Sequence, residues 1–300
     1  FYSDEMNSLV KTALSNEKFD VVILESLFST VYLASIRSYF KGKVYLRSHN
    51  IEFQIWEDIT NNCGNWLKRK YFKRLTSDLK RYELDTIQQL DGILTISTAD
   101  EQYYKQHLTA PVTTLPFTIA INNTLINDYI ASNLFHVGGM DWEPNREAVE
   151  RLIGLFPSII KQHPKIELSL IGKGTDELVS NNSSIHAEGF IDDLEAHAVK
   201  TGILVSPISA GSGIRIKILE MMALGIPVIT TKKGAQGIDY EGKKCLFIAD
   251  TDEKIIQACV ELSTNPSLRS ELGTNAKNYI STYHSPTTVA EQLDEFLQSS

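Results

Sequence analysis

Cysteine is scarce: Cys63, Cys245 and Cys259 lie far apart and form no CxxC pair. They offer neither a disulfide framework nor a thiolate metal site, and read as reduced thiols of a cytoplasmic chain. No apolar run approaches the roughly 20 residues that cross a bilayer, and the opening residues lack the layout of a secretory signal. Positive charge is also short. Against 37 acidic residues stand 29 Lys and Arg, and the net charge of −8 excludes a general nucleic-acid binder. GxSxG, HExxH and the Walker lysine loop are missing, and no cluster reads as a metal site, so no metal and no cofactor is expected.

What is present is ordinary for a globular protein. Hydrophobic residues make up 42% and charged residues 22% of 300, a length that suits two domains. Short β-branched runs at 19–24, 43–47, 92–97, 134–139, 166–172, 202–206 and 226–231 are apolar at consecutive positions, as in parallel strands buried on both faces. Helical patterns at 7–15, 146–162, 192–199, 214–224 and 252–262 lie between them. The alternation predicts an α/β fold of two Rossmann-like, doubly wound domains. Residues 115–133 (LPFTIAINNTLINDYIASN) are polar and aperiodic and read as the connection. The expected division is 1–120, 121–284, and a helix over 285–300 packing back on the first domain. A helical pattern opens the chain and no Gly-rich turn precedes the first strand, so the first domain is expected to be incomplete at its N-terminus.

The most informative stretch is 202–231, GILVSPISAGSGIRIKILEMMALGIPVITT. A buried strand ends at Ser206-Pro207, a loop carries Gly211-Ser212-Gly213, and a helix is expected from Ile214. The free N–H groups and dipole of that helix start make an anion site, and Arg215 and Lys217 add two cations suited to a diphosphate. Glu220 lies roughly 60° round the helix from Lys217, on the same side. The plainer reading makes Arg215, Lys217 and Glu220 a surface ion-pair ladder. The Gly-rich start at the carboxyl end of a parallel strand favours a ligand site.

The pattern PxxxGSGxRxKxLExMAxGxPV, from Pro207 to Val228, resembles the donor-site signature of family-4 retaining glycosyltransferases of the GT-B fold. The resemblance implies a nucleotide-sugar on the C-terminal domain and an acceptor-side N-terminal domain, with chemistry in the cleft. Arg215 and Lys217 would hold the diphosphate and Glu220 the ribose hydroxyls. The family's second Glu, eight residues ahead, is Ser212 here.

A second cluster, Arg47-Ser48-His49-Asn50-Ile51-Glu52, leaves the carboxyl end of a buried strand. Asn50 as a cap of the next helix with Glu52 in its first turn is the plainer account, but it leaves Arg47 and His49 unexplained. The resemblance assigns His49 to the donor sugar, with Arg47 and Asn50 beside it. A third loop, Gly138-Gly139-Met140-Asp141-Trp142, lets backbone approach a phosphate at its glycines. The family's Arg and Lys are replaced there by Asp141 and Trp142, and Trp142 reads equally as structural or binding. In Gly189-Phe190-Ile191-Asp192 the resemblance places the nucleobase against the backbone of Phe190 and Ile191, with Asp192 as a helix cap. Gly172-Lys173-Gly174 flanks the same crevice. The basic segment 66–81 (WLKRKYFKRLTSDLKR) reads as a solvated helix face, or more sharply as a peripheral contact with anionic lipid.

These readings converge on a hexosyltransferase moving sugar from a nucleotide-diphosphate donor to a glycan or lipid-linked acceptor, with retention. The catalytic set would be His49, Arg215, Lys217 and Glu220. Substrate-binding residues would be Arg47, Asn50, Gly138, Gly139, Phe190, Ile191, Gly211, Ser212, Gly213 and Ile214. A nucleotide-sugar epimerase on the same scaffold and a non-catalytic nucleotide-sugar binding module remain the alternatives.

Overall fold

The computed structural model describes residues 1–120, 132–178, 182–211 and 213–299. Ser212 and residues 121–131 of the connection lie outside them. The chain divides into two compact units, Phe1–Phe117 with Ala290–Ser300, and Thr118–Val289. No described helix is long and apolar enough to cross a membrane.

The first unit is built on four parallel strands, β1 (Val21–Glu25), β2 (Lys43–Ser48), β3 (Gly92–Thr95) and β4 (Val112–Thr114), in the order β1-β2-β3-β4. Val44, Tyr45 and Leu46 are all but inaccessible because helices cover the sheet. The helices are α1 (Asp4–Asn16), α2 (Leu33–Tyr39), α3 (Glu52–Asn62), α4 (Trp66–Ile87) and α5 (Thr98–Lys105). Asn65 starts α4 by accepting from the N–H groups of Leu67 and Lys68 at 3.0 and 3.1 Å. The helix then runs past the basic segment to Ile87, whose side chain enters the core.

The second unit holds β5 (Asn133–Val137), α6 (Glu143–Gln162), β6 (Leu168–Ile171), β7 (Ile185–Gly189), α7 (Leu194–Thr201), β8 (Gly202–Ser206), α8 (Ile216–Leu224), β9 (Val228–Thr230), β10 (Phe247–Ile248), α9 (Asp252–Thr264) and α10 (Pro266–Tyr283). A last helix, α11 (Pro286–Ser299), follows, and its Phe296 ring meets Tyr45 edge-on at 5.0 Å. The sheet order is β10-β9-β8-β5-β6-β7, all parallel, so successive strands are laid down to one side of β5 and then, from β8, to the other. That is the doubly wound order, and its reversal between β5 and β8 is where such sheets open a crevice.

The consecutive apolar residues of these strands have a simple cause. Leu134, Ile203, Val205 and Ile229 point into a core under α6 and α9. Their neighbours Phe135, Leu204 and Val228 point into another under α8 and α10. Side chains alternate faces along a strand, so a sheet with a core on each side needs an apolar residue at every position.

Candidate functional site

In the second unit the loops after β5, β6 and β8 enclose a cavity of about 660 Å³ at the reversal point. One wall is the loop after β5. Gly138 donates to the carbonyl of Ile171 and Met140 to that of Lys173, both at 2.9 Å, which fastens this loop to the one after β6. Asn145, in the first turn of α6, donates to the carbonyl of Gly139 at 3.1 Å. A Cβ on Gly138 would stand only 2.3 Å from the Asn145 side chain, so glycine is required there by closeness of approach. Gly138 and Gly139 both line the cavity, as do Phe190 and Ile191 on the opposite rim. Phe190 is 76% exposed. The cap of α7 is Asp193, which accepts from Ala196 at 2.9 Å, one residue beyond the expected Asp192; Asp192 lines the cavity instead.

The third wall is the loop after β8 with the start of α8. The helix opens at Ile216, later than the expected 214, because Arg215 occupies the cap position in an extended conformation and no side chain caps it. Ile214, Arg215 and Lys217 line the cavity beside this uncapped start. The Arg215 guanidinium donates to the carbonyls of Gly213 at 3.1 Å and Ala210 at 3.2 Å, and lies over the Trp142 ring at 4.9 Å. It therefore holds the Gly-rich loop in shape. Burial lowers its pKa below the usual guanidinium value, which leaves the group protonated at neutral pH. Gly211 sits against the same pair with φ +89°, and a Cβ there would fall 2.9 Å from Trp142 and 3.0 Å from Arg215. Only glycine serves both requirements.

Lys217 makes the ion pair with Glu220 that the plainer reading anticipated, at 2.9 Å on the half-exposed helix face. The same lysine lines the cavity, so the two readings share a residue. Glu220 reaches the site through Lys217. Lys173, from the loop after β6, brings a further ammonium to the wall, paired loosely with Asp141 at 3.6 Å. The DxD tripeptide Asp250-Thr251-Asp252, which sequence reading passed over, is committed to structure. Thr251 caps α9, Asp250 accepts from Lys232 N–H, and Asp252 pairs with Arg151 at 2.7 Å.

In the first unit, Arg47 and His49 leave β2 beside Glu25, the last residue of β1. His49 Nε2 is 2.8 Å from Glu25 Oε2 and Arg47 Nη1 is 3.5 Å from Oε1. Phe117 lies under both, 5.5 Å from the Arg47 guanidinium and 5.9 Å from the imidazole. Asn50 does not cap α3: that position is Ile51, without a side-chain bond. Its amide bonds the Glu52 carboxylate instead; burial raises the Glu52 pKa, against the opposing effects of Asn50 and His49.

Beneath this loop is a buried network invisible in the sequence. Ser48 Oγ donates to the carbonyl of Asn50 at 2.9 Å and meets Tyr104 Oη at 3.0 Å; Tyr104 in turn donates to Glu83 at 2.6 Å. Glu83 also accepts from Phe53 N–H at 3.2 Å. Burial raises its pKa, with the bonds from Tyr104 and Phe53 opposing. The chain Glu83–Tyr104–Ser48 pins the Arg47–Asn50 loop from below.

Comparison with known proteins bears on both units. Residues 131–265 match the family described as glycosyl transferases group 1. A Klebsiella pneumoniae protein described as an uncharacterized 44.6 kDa protein in the cps region is 25% identical over 285 residues, covering 88% of this chain and 71% of that one. Among solved structures, S. aureus TarM in complex with fondaparinux, α-GlcNAc-glycerol and UDP superposes with a TM-score of 0.68 at 14% identity, over 97% of this chain and 58% of TarM. Anabaena HepE in complex with UDP gives 0.71 at 16% identity, over 98% and 81%. Sucrose-phosphate synthase from Thermosynechococcus elongatus gives 0.72 at 14% identity, over 98% and 77%. The chain thus spans less than two thirds of TarM. These likenesses show the GT-B fold, and the second unit carries the group 1 glycosyltransferase match.

Proposed function

We propose that this protein is a cytoplasmic, retaining glycosyltransferase of family-4 type, moving a hexosyl group from a nucleotide-diphosphate sugar to a glycan or lipid-linked acceptor. One observation carries the reading. At the reversal point of the second sheet, two glycines, an uncapped helix start and the cations Arg215 and Lys217 converge on a single cavity. Backbone N–H groups and fixed cations there would stabilise the charge that develops on a departing diphosphate. Those groups would do this without a resident metal. Glu220 would take the ribose hydroxyls, the backbone of Phe190 and Ile191 the base, and His49, Arg47 and Asn50 the sugar. That TarM and HepE were solved with UDP favours a uridine nucleotide.

Calorimetry with UDP and uridine tests the site. Lys217→Ala is expected to weaken UDP roughly tenfold, one charge-assisted bond at a half-exposed position, and uridine hardly at all. Equal losses for the two ligands would remove the diphosphate from this wall.

The reading extends to the membrane surface. At the start of α4, Trp66, Leu67 and Tyr71 are 72%, 59% and 67% exposed among Lys68, Arg69, Lys70, Lys73 and Arg74. Exposed aromatic and aliphatic side chains among cations suit an anionic lipid surface. Flotation with vesicles of phosphatidylglycerol and phosphatidylcholine should carry the protein up, and phosphatidylcholine alone should not. Failure to float with the anionic vesicles would leave this face merely solvated.

A further inference from the structure

We propose that His49 and Glu25 form an imidazole–carboxylate dyad in which His49 Nδ1 takes the proton from the acceptor hydroxyl during transfer, Glu25 acting as its positioning residue. The proposal deepens the transferase reading and rests on it. Its starting point is the 2.8 Å contact between His49 Nε2 and Glu25 Oε2. A carboxylate can only accept, so Nε2 carries the hydrogen and the lone pair of the neutral ring sits at Nδ1. Arg47 holds the other carboxylate oxygen at 3.5 Å, which fixes the plane of Glu25 and with it the ring.

The backbone around the pair is built for position. Ser26, directly after Glu25, has φ +67°, a conformation that is uncommon for a residue with a side chain. Its N–H donates to the Arg47 carbonyl at 3.0 Å, locking the end of β1 to the end of β2. From below, Ser48 is held by Tyr104 and Glu83. The ring itself is accessible, with about a third of its side chain exposed (35%), and the Phe117 ring beside it offers an apolar face against which the C–H side of a sugar can pack. A salt bridge that merely tied β1 to β2 would need none of this access.

In the step, the acceptor O–H gives its proton to Nδ1 as its oxygen bonds the anomeric carbon of the donor. The bond from that carbon to the phosphate oxygen breaks, and the nucleoside diphosphate leaves with the electron pair. The imidazolium so formed faces Glu25, which offsets its charge, and the proton then passes to solvent. Facing His49 are Glu25 from β1, Arg47 on its own strand and Glu52 at the start of α3.

Two measurements on the full chain test this. UDP release from UDP-glucose, with water as acceptor, should fall about a hundredfold in kcat for His49→Gln and for Glu25→Gln, while UDP affinity by calorimetry stays within twofold. The acid limb of the wild-type pH–rate profile should vanish in His49→Gln. Nitrogen NMR of histidine-labelled protein should find His49 in the Nε2–H tautomer, and Glu25→Gln should release a fraction to Nδ1–H, because an amide can donate as well as accept. Wild-type turnover in either variant, an Nδ1–H ring in the wild type, or a matching loss of UDP affinity overturns the dyad. If the wild type binds UDP without turnover, the tautomer decides. If it binds no UDP, the transferase reading fails, and the tautomer still judges the dyad.

Discussion

Arg215→Ala should lower UDP affinity by two to three orders of magnitude, with uridine reduced only a few-fold. The expected loss is larger than for Lys217 because Arg215 acts twice. It brings a charge to the cavity, and two of its five donors go to the carbonyls of Gly213 and Ala210. Removing it takes away a cation and also frees the loop that carries the neighbouring backbone N–H groups. The combined effect is roughly 3–4 kcal/mol, a charge-assisted bond plus the ordering of several loop residues. Arg215→Lys separates the two parts. An ammonium retains the charge, yet it can neither bridge two carbonyls nor lie flat on Trp142, so it should recover under a tenth of the lost affinity. Trp142→Leu should fall between, since it removes the stack and leaves the fork. Isothermal calorimetry across the four proteins decides the matter. UDP binding by Arg215→Lys at the wild-type level would show that charge alone suffices. A uridine loss equal to the UDP loss in Arg215→Ala would make the residue a support of the cavity rather than a diphosphate ligand.

The contrast between Arg215 and its partner shows what a sequence can and cannot reveal about such a site. The Gly-rich helix start was legible because its components are neighbours in the chain: Gly211, Gly213, Arg215 and Lys217 fall within a single loop and turn. Trp142 was ambiguous because its role depends on Arg215, which the fold brings from another loop. Glu25 went unread because it closes an apolar strand like any terminal residue, and only the pairing of Glu25 with Arg47 in the sheet register puts it beside His49. Glu83 was less legible still. It lies in a helix whose other charges are mostly exposed and basic, and no local pattern distinguishes the one acid that is fully buried. The same logic governs the strands. β2, β5 and β8 were visible because both faces are covered. β7 escaped notice because His186, Ala187 and Glu188 are exposed at the sheet edge, so the strand has no apolar run to show. β4 and β10, of three and two residues, are too short to display a period.

His136 provides the other large effect, on stability rather than binding. It opens the loop segment that leads to Gly138, yet its side chain is fully buried in β5 and takes no part in the cavity wall. Nδ1 lies 2.9 Å from the Val205 carbonyl, which can only accept, so the ring is the Nδ1–H tautomer. The site left for a proton is Nε2, a buried atom with no protein partner among the described residues. Charging it there is costly. Burial pushes the His136 pKa from 6.5 down to about 4, against the smaller opposing effect of the Val205 bond. In the unfolded chain the ring titrates near its ordinary value, so between about pH 6.5 and 4 the unfolded state binds more protons than the folded one. The contribution of His136 to stability is therefore complete above pH 6.5, falls as the pH drops, and is spent near pH 4. Over the whole window it amounts to roughly 3 kcal/mol. Glu52, Glu83 and Asp100, whose pKa values burial raises, act in the opposite sense, since their folded forms hold the proton more firmly. Comparison with His136→Leu cancels them, because both proteins carry all three. In urea unfolding at pH 7.5 and 4.5, the wild type should lose roughly 2–3 kcal/mol more than the variant on going to the lower pH. Parallel losses in the two proteins would show that the ring is charged in the fold, with a partner for Nε2 that the buried strand does not supply.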